Sequence, residues 1–410
     1  MNLSRVFRFP PSLSKSLRTN FIYYFWDIGV WAFYTGTTAS FLTIYAARCG
    51  ATNAQIGFLT AAPAVVSLVL ALPAGWLLKR YPPKIPTLWS CFGQRVLFIV
   101  YALLPWMFPA ALQVKAILVL AVISAVPSTV VGISFTQLFI EAVPSEWRGV
   151  VVGTRNAIVA ILQFVVTLIA GQILSRVAFP IGYQIIFVVG FFGGIMTVWA
   201  LSHVQPIADS TKPANRPASA RMRWTQPTIT VPVRVFFRVV GLLFLFNLTN
   251  NMVAPLVPNL LVQTLNLSDA MISIGTALSS LLVFVVSLFI GRLIYRTDNR
   301  RATTLGAVLL AFNALALALA HDATLYLVSV VIGGIASGIL NVAQYNYLLD
   351  NVPQEERATW LAWNVLIGNA AVLVGALGGP AIATLTGAPA ALIFFGVLRL
   401  AVGLAIFRWG

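Results

Sequence analysis

The sequence predicts an all-α integral membrane protein of twelve transmembrane helices, arranged as two pseudo-symmetric six-helix bundles. Three observations lead to this prediction: the composition, the spacing of apolar runs and an internal repeat. Of the 410 residues, 59% are hydrophobic and 9% are charged, whereas soluble domains carry about 25% charged residues. A soluble fold could not bury so much apolar surface, so we expect a lipid bilayer to surround the chain.

Twelve apolar runs are long enough to cross a bilayer, which needs about 20 residues per helix. They lie at residues 20–45, 54–78, 85–108, 114–140, 149–174, 180–201, 235–264, 270–295, 303–320, 324–349, 359–385 and 391–407. The basic segment before the first run is interpreted as a retained tail, because the run after it is too long for a signal peptide. The predicted organisation is a cytoplasmic N-terminal tail at 1–19, a first bundle at 20–203, a cytoplasmic linker at 204–233 and a second bundle at 234–410.

Basic residues concentrate in alternate loops. Most of the 26 Lys and Arg residues fall in the tail, in the loops after the even-numbered runs and at the C-terminus. Because cytoplasmic loops retain positive charge, this pattern predicts that both termini are cytoplasmic and that the protein spans the cell membrane. The net charge of +16 is therefore attributed to membrane topology, and no nucleic-acid partner is expected.

An internal repeat relates the two halves. The segment ATNAQIG at Ala51 aligns without gaps on LSDAMIS at Leu267, an offset of 216 residues. A second pair of segments, EAVPSEWRG from Glu141 and DNVPQEERA from Asp350, aligns with an offset of 209 residues. Two ungapped matches in the same order indicate a duplicated six-helix unit.

Duplicated six-helix halves joined by a basic central loop resemble the major facilitator superfamily, and the resemblance covers essentially the whole chain. The family's pattern in the loop between the second and third helices begins with Gly and continues through an acid and Arg to a basic cluster. Here GWLLKRYPPK, from Gly75, keeps Arg80 but has Lys79 in place of the acid. The second copy, GRLIYRTDNRR from Gly291, keeps Arg296. The resemblance implies a solute carrier that works by alternating access.

Acid and arginine residues also recur at a fixed spacing in two loops. Glu141 precedes Arg148, and Asp350 precedes Arg357, by the same number of residues. These residues are expected to pair with each other or with the loop arginines and to latch the halves in one state. The alternative is a set of ordinary solvated loop charges. The predicted cytoplasmic gate consists of Arg80, Glu141, Arg148, Arg296, Asp350 and Arg357.

Asp27 is the acid that lies clearly inside a predicted span. An ionisable group there costs at least about 2.5 kcal/mol on insertion scales, so it is a functional candidate. Tyr24, Trp31, Tyr34 and Thr38 recur with it at helical spacing and share one face. The alternative is that Asp27 forms a buried structural pair, with the arginine at position 95 or 155 as its partner.

The offset of 216 carries this stripe into the second half. It places Trp31 on Asn247, Tyr34 on Asn250 and Thr35 on Asn251, so polar groups recur at equivalent depth. The resemblance implies that both stripes face a central cavity; the alternative is that the amides only join helices. The predicted proton-coupling or substrate residues are Asp27, Trp31, Tyr34, Gln137, Asn247, Asn250, Asn251, Asn341 and Gln344, with Tyr345, Asn156, Gln163, Asn364 and Asn369 as further candidates.

The sequence argues against several other functions. It has no GxxxxGK[ST] phosphate loop, no neighbouring intramembrane acids for Mg²⁺ and no zinc-like grouping of its two cysteines and two histidines. We therefore expect no enzyme, no cofactor and no metal. The predicted function is secondary active transport of a small molecule by a monomer in the lipid bilayer. Proton-coupled export of a hydrophobic or cationic compound is one hypothesis, proton-coupled uptake of a polar metabolite is the alternative, and a channel or membrane sensor is less favoured.

Overall fold

A computed structural model describes residues 14–207, 233–352 and 357–410. The first half contains six helices. The helix α1 runs from Lys15–Tyr34 through a π-helical turn at Thr35–Ala39 to Ser40–Arg48. The other five are α2 (Asn53–Arg80), α3 (Lys84–Met107), α4 (Ala110–Ala142), α5 (Ser145–Arg176) and α6 (Ile181–Ser202).

The second half repeats this organisation. The helix α7 begins with Val233–Val253 and continues through a 3-10 turn at Ala254–Leu256. A short α-helical segment at Val257–Asn259 and a π-helical end at Leu260–Thr264 complete it. Its prolines Pro255 and Pro258 cannot donate backbone hydrogen bonds, which accounts for the change in helix type. The other five are α8 (Asp269–Thr297), α9 (Asn299–Ala318), α10 (Ala323–Asp350), α11 (Arg357–Thr386) and α12 (Ala388–Trp409).

Eleven helices in the described part of the chain are long and apolar enough to cross a membrane. The helix α1, which carries Asp27 and is interrupted by its π-helical turn, is the twelfth. The predicted fold of twelve helices in two bundles is therefore confirmed. Residues 1–13 of the predicted tail and 208–232 of the predicted linker lie outside the described residues, and the predicted domain boundaries stay predictions.

The two halves pack in the same pattern. In the first half α1 packs on α5 and α6, α3 on α4 and α6, and α2 on α4. In the second half α7 packs on α11 and α12, α9 on α10 and α12, and α8 on α10. These are the same pairs shifted by six helices. The offsets in the sequence therefore correspond to a repeat in the packing.

Two symmetric helix pairs join the halves, α2 with α11 and α5 with α8. Glycines allow both close approaches: a Cβ at Gly57 would lie 2.2 Å from the Ala376 carbonyl oxygen, and a Cβ at Gly171 would lie 1.7 Å from Ser273 Oγ. Both contacts lie at the side where α1 ends and α2 begins, which we call the sealed side. The hydrogen bonds that join described residues of the two halves lie there too.

The opposite side, where α1 begins and α12 ends, is called the open side. Glycines of the same helices, Gly75 in α2 and Gly153 in α5, have no heavy atom within 4 Å of an added Cβ. No hydrogen bond or ion pair joins the halves there among the residues that the structure describes. The halves thus touch at one side and separate toward the other.

Candidate functional site

A cavity of about 610 Å³ lies against the second half, between α7, α9, α10 and α11. Its polar lining is mostly carboxamide, and no charged side chain is among its lining residues. The hydrophobic part of the lining includes Leu243, Phe246 and Leu310. The amide residues are Asn247, Asn250, Asn341, Gln344, Asn364 and Asn369, joined by the hydroxyl residues Ser337 and Tyr345.

Helical spacing explains why these amides converge. Residues three or four apart share a helix face, which brings Asn247 and Asn250 of α7, and Asn341 and Gln344 of α10, to the same space. Asn247 Nδ2 donates to the carbonyl of Leu243 in its own helix at 2.8 Å. That hydrogen bond leaves the amide oxygen of Asn247 free to accept from a solute.

Four of the amides, Asn250, Asn341, Gln344 and Asn364, make no side-chain hydrogen bond to any described residue. Each carboxamide offers two N–H donors and one carbonyl acceptor. Asn341 is exposed in the cavity and the other three are partly exposed, so water or a bound molecule can reach these groups and satisfy them. The cavity is thus a neutral surface with many donors and acceptors.

A second cavity of about 510 Å³ adjoins the first, with Leu310 and Ser337 in both linings. It lies between the two halves and includes Ser40 and Thr43 of α1 and Gln163 of α5. Further hydroxyl and amide groups come from the second half: Thr276, Ser279, Ser280, Asn313, Tyr326 and Ser329. The two cavities together form a polar path from the amide cluster to residues of both halves.

Asp27 lies in the interior of the first bundle and pairs with Arg155 of α5. Arg155 Nη2 is 3.0 Å from Asp27 Oδ2, and Asp27 is 6% exposed. Arg155 Nη1 also donates to the carbonyl of Tyr24 at 3.0 Å, and the rings of Tyr24 and Phe135 lie 5.4 and 5.0 Å from the guanidinium carbon. Of the two arginine partners considered from the sequence, Arg155 makes the ion pair. Asp27 lines neither cavity.

The aromatic part of the predicted stripe packs against α3. The guanidinium carbon of Arg95 is 4.2 Å from the centre of the Trp31 ring, and the ring of Tyr34 stacks on Phe98 at 4.1 Å. Arg95 is 5% exposed and donates to Gln94 Oε1. Trp31 and Tyr34 line neither cavity. Trp31 and Tyr34 are partly exposed, and their role in solute binding stays a prediction.

Known proteins share this architecture. A sequence model of the Major Facilitator Superfamily matches residues 239–410. The structure is similar to the xylose transporter XylE from E. coli in a partially occluded inward-open conformation, with a TM-score of 0.70 and 13% identity over 97% of this chain and 98% of that chain. The match to the predicted family, the major facilitator superfamily, thus lies in the second half of the chain, and the whole chain shares the fold of a solved transporter.

Other solved structures of transporters have the same fold. A D-xylose-proton symporter gives a TM-score of 0.72 at 14% identity, covering 96% of this chain and 97% of that chain. The nucleoside transporter NupG gives 0.65 at 13% identity, covering 97% and 100%. At these identities the likeness concerns the fold. No curated protein sequence matches this chain.

The remaining predicted substrate residues divide into two groups. Gln137 donates to Glu141 Oε1 at 3.1 Å, and Asn251 donates to the carbonyl of Asn247 at 2.8 Å, so both are engaged within their own helices. Neither lines a cavity, and neither does Asn156. The second group lines a cavity. The residues of the first cavity are Asn247, Asn250, Asn341, Gln344, Asn364, Asn369 and Tyr345, and Gln163 lines the second cavity.

The predicted gate arginine Arg148 binds the end of α4. It donates to the carbonyls of Val143 at 3.1 Å and Ile140 at 2.9 Å. Among the described residues, no ion pair connects Arg148 to Glu141. In this state Arg148 therefore binds the backbone instead of Glu141.

The second-half gate residues are arranged differently. Asp350 Oδ2 accepts from Asn299 Nδ2 at 2.6 Å, and Arg80 and Arg296 are exposed. The side chain of Arg357 lies outside the described residues. Since the halves are apart at this side, the latch stays a prediction about the state in which the open side closes.

Sequence reasoning missed two polar features. Arg399 of α12 is fully buried and donates to the carbonyls of Leu310 and Thr249, both at 2.9 Å, tying α12 to α9 and α7. An ion pair between Arg48 and Asp269 joins the halves at the sealed side. The position of Asp269 inside the repeated segment was an available signal, because it aligns with Asn53.

Proposed function

We propose that this chain is a secondary active transporter that takes up a small, neutral, hydroxyl-bearing solute through the amide-lined cavity, with protons as the coupling ion. The amide cluster is the observation that carries this proposal. Six carboxamides and no charged side chain line the cavity. Amides satisfy hydroxyl groups as both donors and acceptors, whereas a cationic solute would require a carboxylate or an aromatic cage.

The position of Asp27 favours a polar solute over a cationic one. The hypothesis of export requires Asp27 to bind a cationic solute among aromatic rings. In the structure its carboxylate is paired with Arg155 and does not line a cavity. The alternative of a polar metabolite therefore has the stronger support. Similar folds occur in proteins named as a D-xylose-proton symporter and a nucleoside transporter, and both of those named solutes carry several hydroxyl groups.

Proton coupling is assigned to the pair of Asp27 and Arg155. The pair ties α1 to α5, and α5 packs against α8 of the other half at Gly171. Protonation of Asp27 would remove the attraction that holds Arg155 and leave the guanidinium to its carbonyl and ring contacts. Protonation would thereby change how α1 holds α5, and α5 is one of the helices that join the halves.

Alternating access supplies the transport step. Solute enters the cavity when one side is open, and rocking of the two halves exposes it to the other side. We assign the open side to the cytoplasm, because the basic loops of the sequence lie there. Reporter fusions at each terminus, fluorescent only in the cytoplasm, test this orientation.

Uptake into proteoliposomes tests the proposed substrate class. Radiolabelled D-xylose and uridine serve as neutral hydroxyl-bearing probes, and ethidium serves as a cationic probe. Saturable accumulation of a neutral probe, driven by a proton gradient, is the expected result. Proton-driven transport of ethidium together with no transport of the neutral probes would replace the proposal by the export hypothesis.

A further inference from the structure

The sealed side is held by an ionic contact that spans the halves. Arg48, at the end of α1, donates from Nη2 and Nε to Asp269 Oδ1 at 3.0 and 3.2 Å. Its Nη2 also donates to the carbonyl of Leu267 at 2.6 Å. The hydroxyl of Tyr183, in α6, donates to the same Asp269 oxygen at 2.8 Å. We call Arg48, Tyr183 and Asp269 the ionic lock.

A second contact joins the halves through amides. Asn259 of α7 donates from Nδ2 to the carbonyl of Ala51 at 3.0 Å and to Asn53 Oδ1 at 2.8 Å. Asn259 is 7% exposed, so the contact is nearly closed to water. We call Asn53 and Asn259 the amide lock.

The two locks are copies of one joint. The offset of 216 residues places Asn53 on Asp269, and each is the first residue of its helix, α2 and α8. Both helices are capped alike, by Thr52 and Ser268, whose side chains accept from the backbone N–H three residues on. From this position Asn53 reaches the end of α7, and Asp269 reaches the end of α1. The duplicated joint is thus neutral in one copy and charged in the other.

The geometry points to a division of roles: the ionic lock, rather than the amide lock, sets how often the sealed side opens. This inference rests on the proposed alternating-access function. Charge-assisted hydrogen bonds are about twice as strong as neutral ones, and the side chains of Arg48 and Asp269 are 25% and 17% exposed. Dissolved ions therefore reach the ionic lock and screen it. Opening of the sealed side should depend on salt through Asp269, and Arg48 and Asp269 are gating residues for transport.

The experiment measures access to a buried position between the halves. Ser273 is 2% exposed, and its hydroxyl faces Gly171 of the other half. A Ser273→Cys reporter is placed in a background in which the native thiols are removed by Cys49→Ser and Cys91→Ala. Labelling by a bulky, membrane-impermeant maleimide then reports how often the sealed side opens. No solute is needed, so failure of this inference is distinguishable from failure of the proposed transport.

Asp269→Asn is expected to raise the labelling rate about tenfold, in line with the loss of a charge-assisted contact. Raised salt should accelerate labelling of the reference protein and of Asn259→Ala, but not of Asp269→Asn. The control is Asp298→Asn, because Asp298 pairs with Arg301 inside one half. Equal rates for Asp269→Asn and Asp298→Asn would overturn the inference.

Two further variants keep the test decisive. Tyr183→Phe removes one hydroxyl from the lock and preserves the ring, so it should raise labelling by about threefold even if Asp269→Asn does not fold. Arg48→Gln combined with Asp269→Asn should label no faster than either single variant, because both remove one contact. Additive rates in this cycle would contradict a shared lock.

Discussion

The guanidinium of Arg155 lies 3.0 Å from the carboxylate of Asp27 and also binds the backbone of Tyr24, in the helix that carries the acid. The arginine therefore holds α1 by two contacts, of which one depends on the charge of Asp27. A buried ion pair contributes little net stability, but removing one partner leaves an uncompensated charge. This asymmetry makes the pair suitable for coupling, since protonation acts like removal of the acid.

Asp27→Asn should abolish proton coupling. In the original protein, uptake should rise as the pH on the side supplying protons falls; in the variant, uptake should be flat with pH, while exchange of solute between equal pools continues. The unpaired Arg155 should also lower the free energy of unfolding by about 3 kcal/mol. Uptake and exchange in proteoliposomes, with a thermal melt, measure these effects. Asp27→Asn combined with Arg155→Gln should recover most of the lost stability. If Asp27→Asn alone kept the full pH response, Asp27 would be excluded as the proton carrier.

Asn341→Ala should weaken solute binding. The amide of Asn341 lines the cavity and has no partner among the described residues, so a solute would lose one or two hydrogen bonds. A loss of about 0.5–1.5 kcal/mol raises the KM of transport by roughly two- to tenfold. The matched control is Asn251→Ala, because the Asn251 amide is bound to Asn247 in its own helix and lines neither cavity. An equal rise of KM in both variants would mean that lining the cavity does not distinguish the residues that bind solute.

The sequence predicted the helices and their symmetry because both follow from local pattern. Apolar runs of bilayer length predict spans, and the offset of 216 residues carries one half onto the other. The same reasoning located Asn247 and Asn250 in α7, and both line the cavity. Helical spacing can sort residues by face, and on α7 the predicted face is the one that lines the cavity.

Other parts of the site depend on which helix covers a given face. Trp31 and Tyr34 share a face with Asp27, and this face contacts Arg95 and Phe98 of α3 and Arg155 of α5. Periodicity identifies residues that point the same way and does not identify the neighbouring helix. The contact between Arg48 and Asp269 joins residues 221 positions apart, and no local pattern indicates such a pair.

Gly57→Ala should shift the protein away from the state described here. A Cβ at this position would lie 2.2 Å from the Ala376 carbonyl oxygen, and a backbone atom cannot move aside easily. The sealed side would therefore separate, and distances across it should lengthen. Double electron–electron resonance between nitroxides at Ser175 and Leu385, both exposed near this side, measures the change.

The control for this substitution lies in the same helix. Gly75→Ala adds the same methyl group where no heavy atom lies within 4 Å, so the distance distribution should stay unchanged. Ala also has a better helix propensity than Gly by about 1 kcal/mol, and both variants gain it equally. If Gly75→Ala lengthened the distance across the sealed side by the same amount, the cause would be helix stiffness and not the contact of Gly57 with α11.

Neutralising the predicted latch should favour the open side. Glu141 and Asp350 lie at the ends of α4 and α10. In this state Asp350 accepts from Asn299, and Arg148 binds the end of α4. If both acids bind arginines when the open side closes, Glu141→Gln with Asp350→Asn removes that stabilisation from the closed state alone. Nitroxides at Tyr81 and Tyr295, which are exposed in opposite halves, should then report a larger share of long distances. Exposed ion pairs contribute about 0.2–1 kcal/mol each, which corresponds to a shift of up to about thirtyfold for two pairs.

The matched control for the latch neutralises one acid in each half outside the predicted gate. Glu146→Gln with Asp298→Asn removes the same charge, and both residues are exposed. Because these acids lie outside the predicted gate, and Asp298 pairs with Arg301 inside its own half, the distances should remain those of the original protein. Equal shifts of the distance distribution in the two double variants would show that net charge causes the effect. No shift in Glu141→Gln with Asp350→Asn would mean that these acids are solvated loop charges without a role in gating.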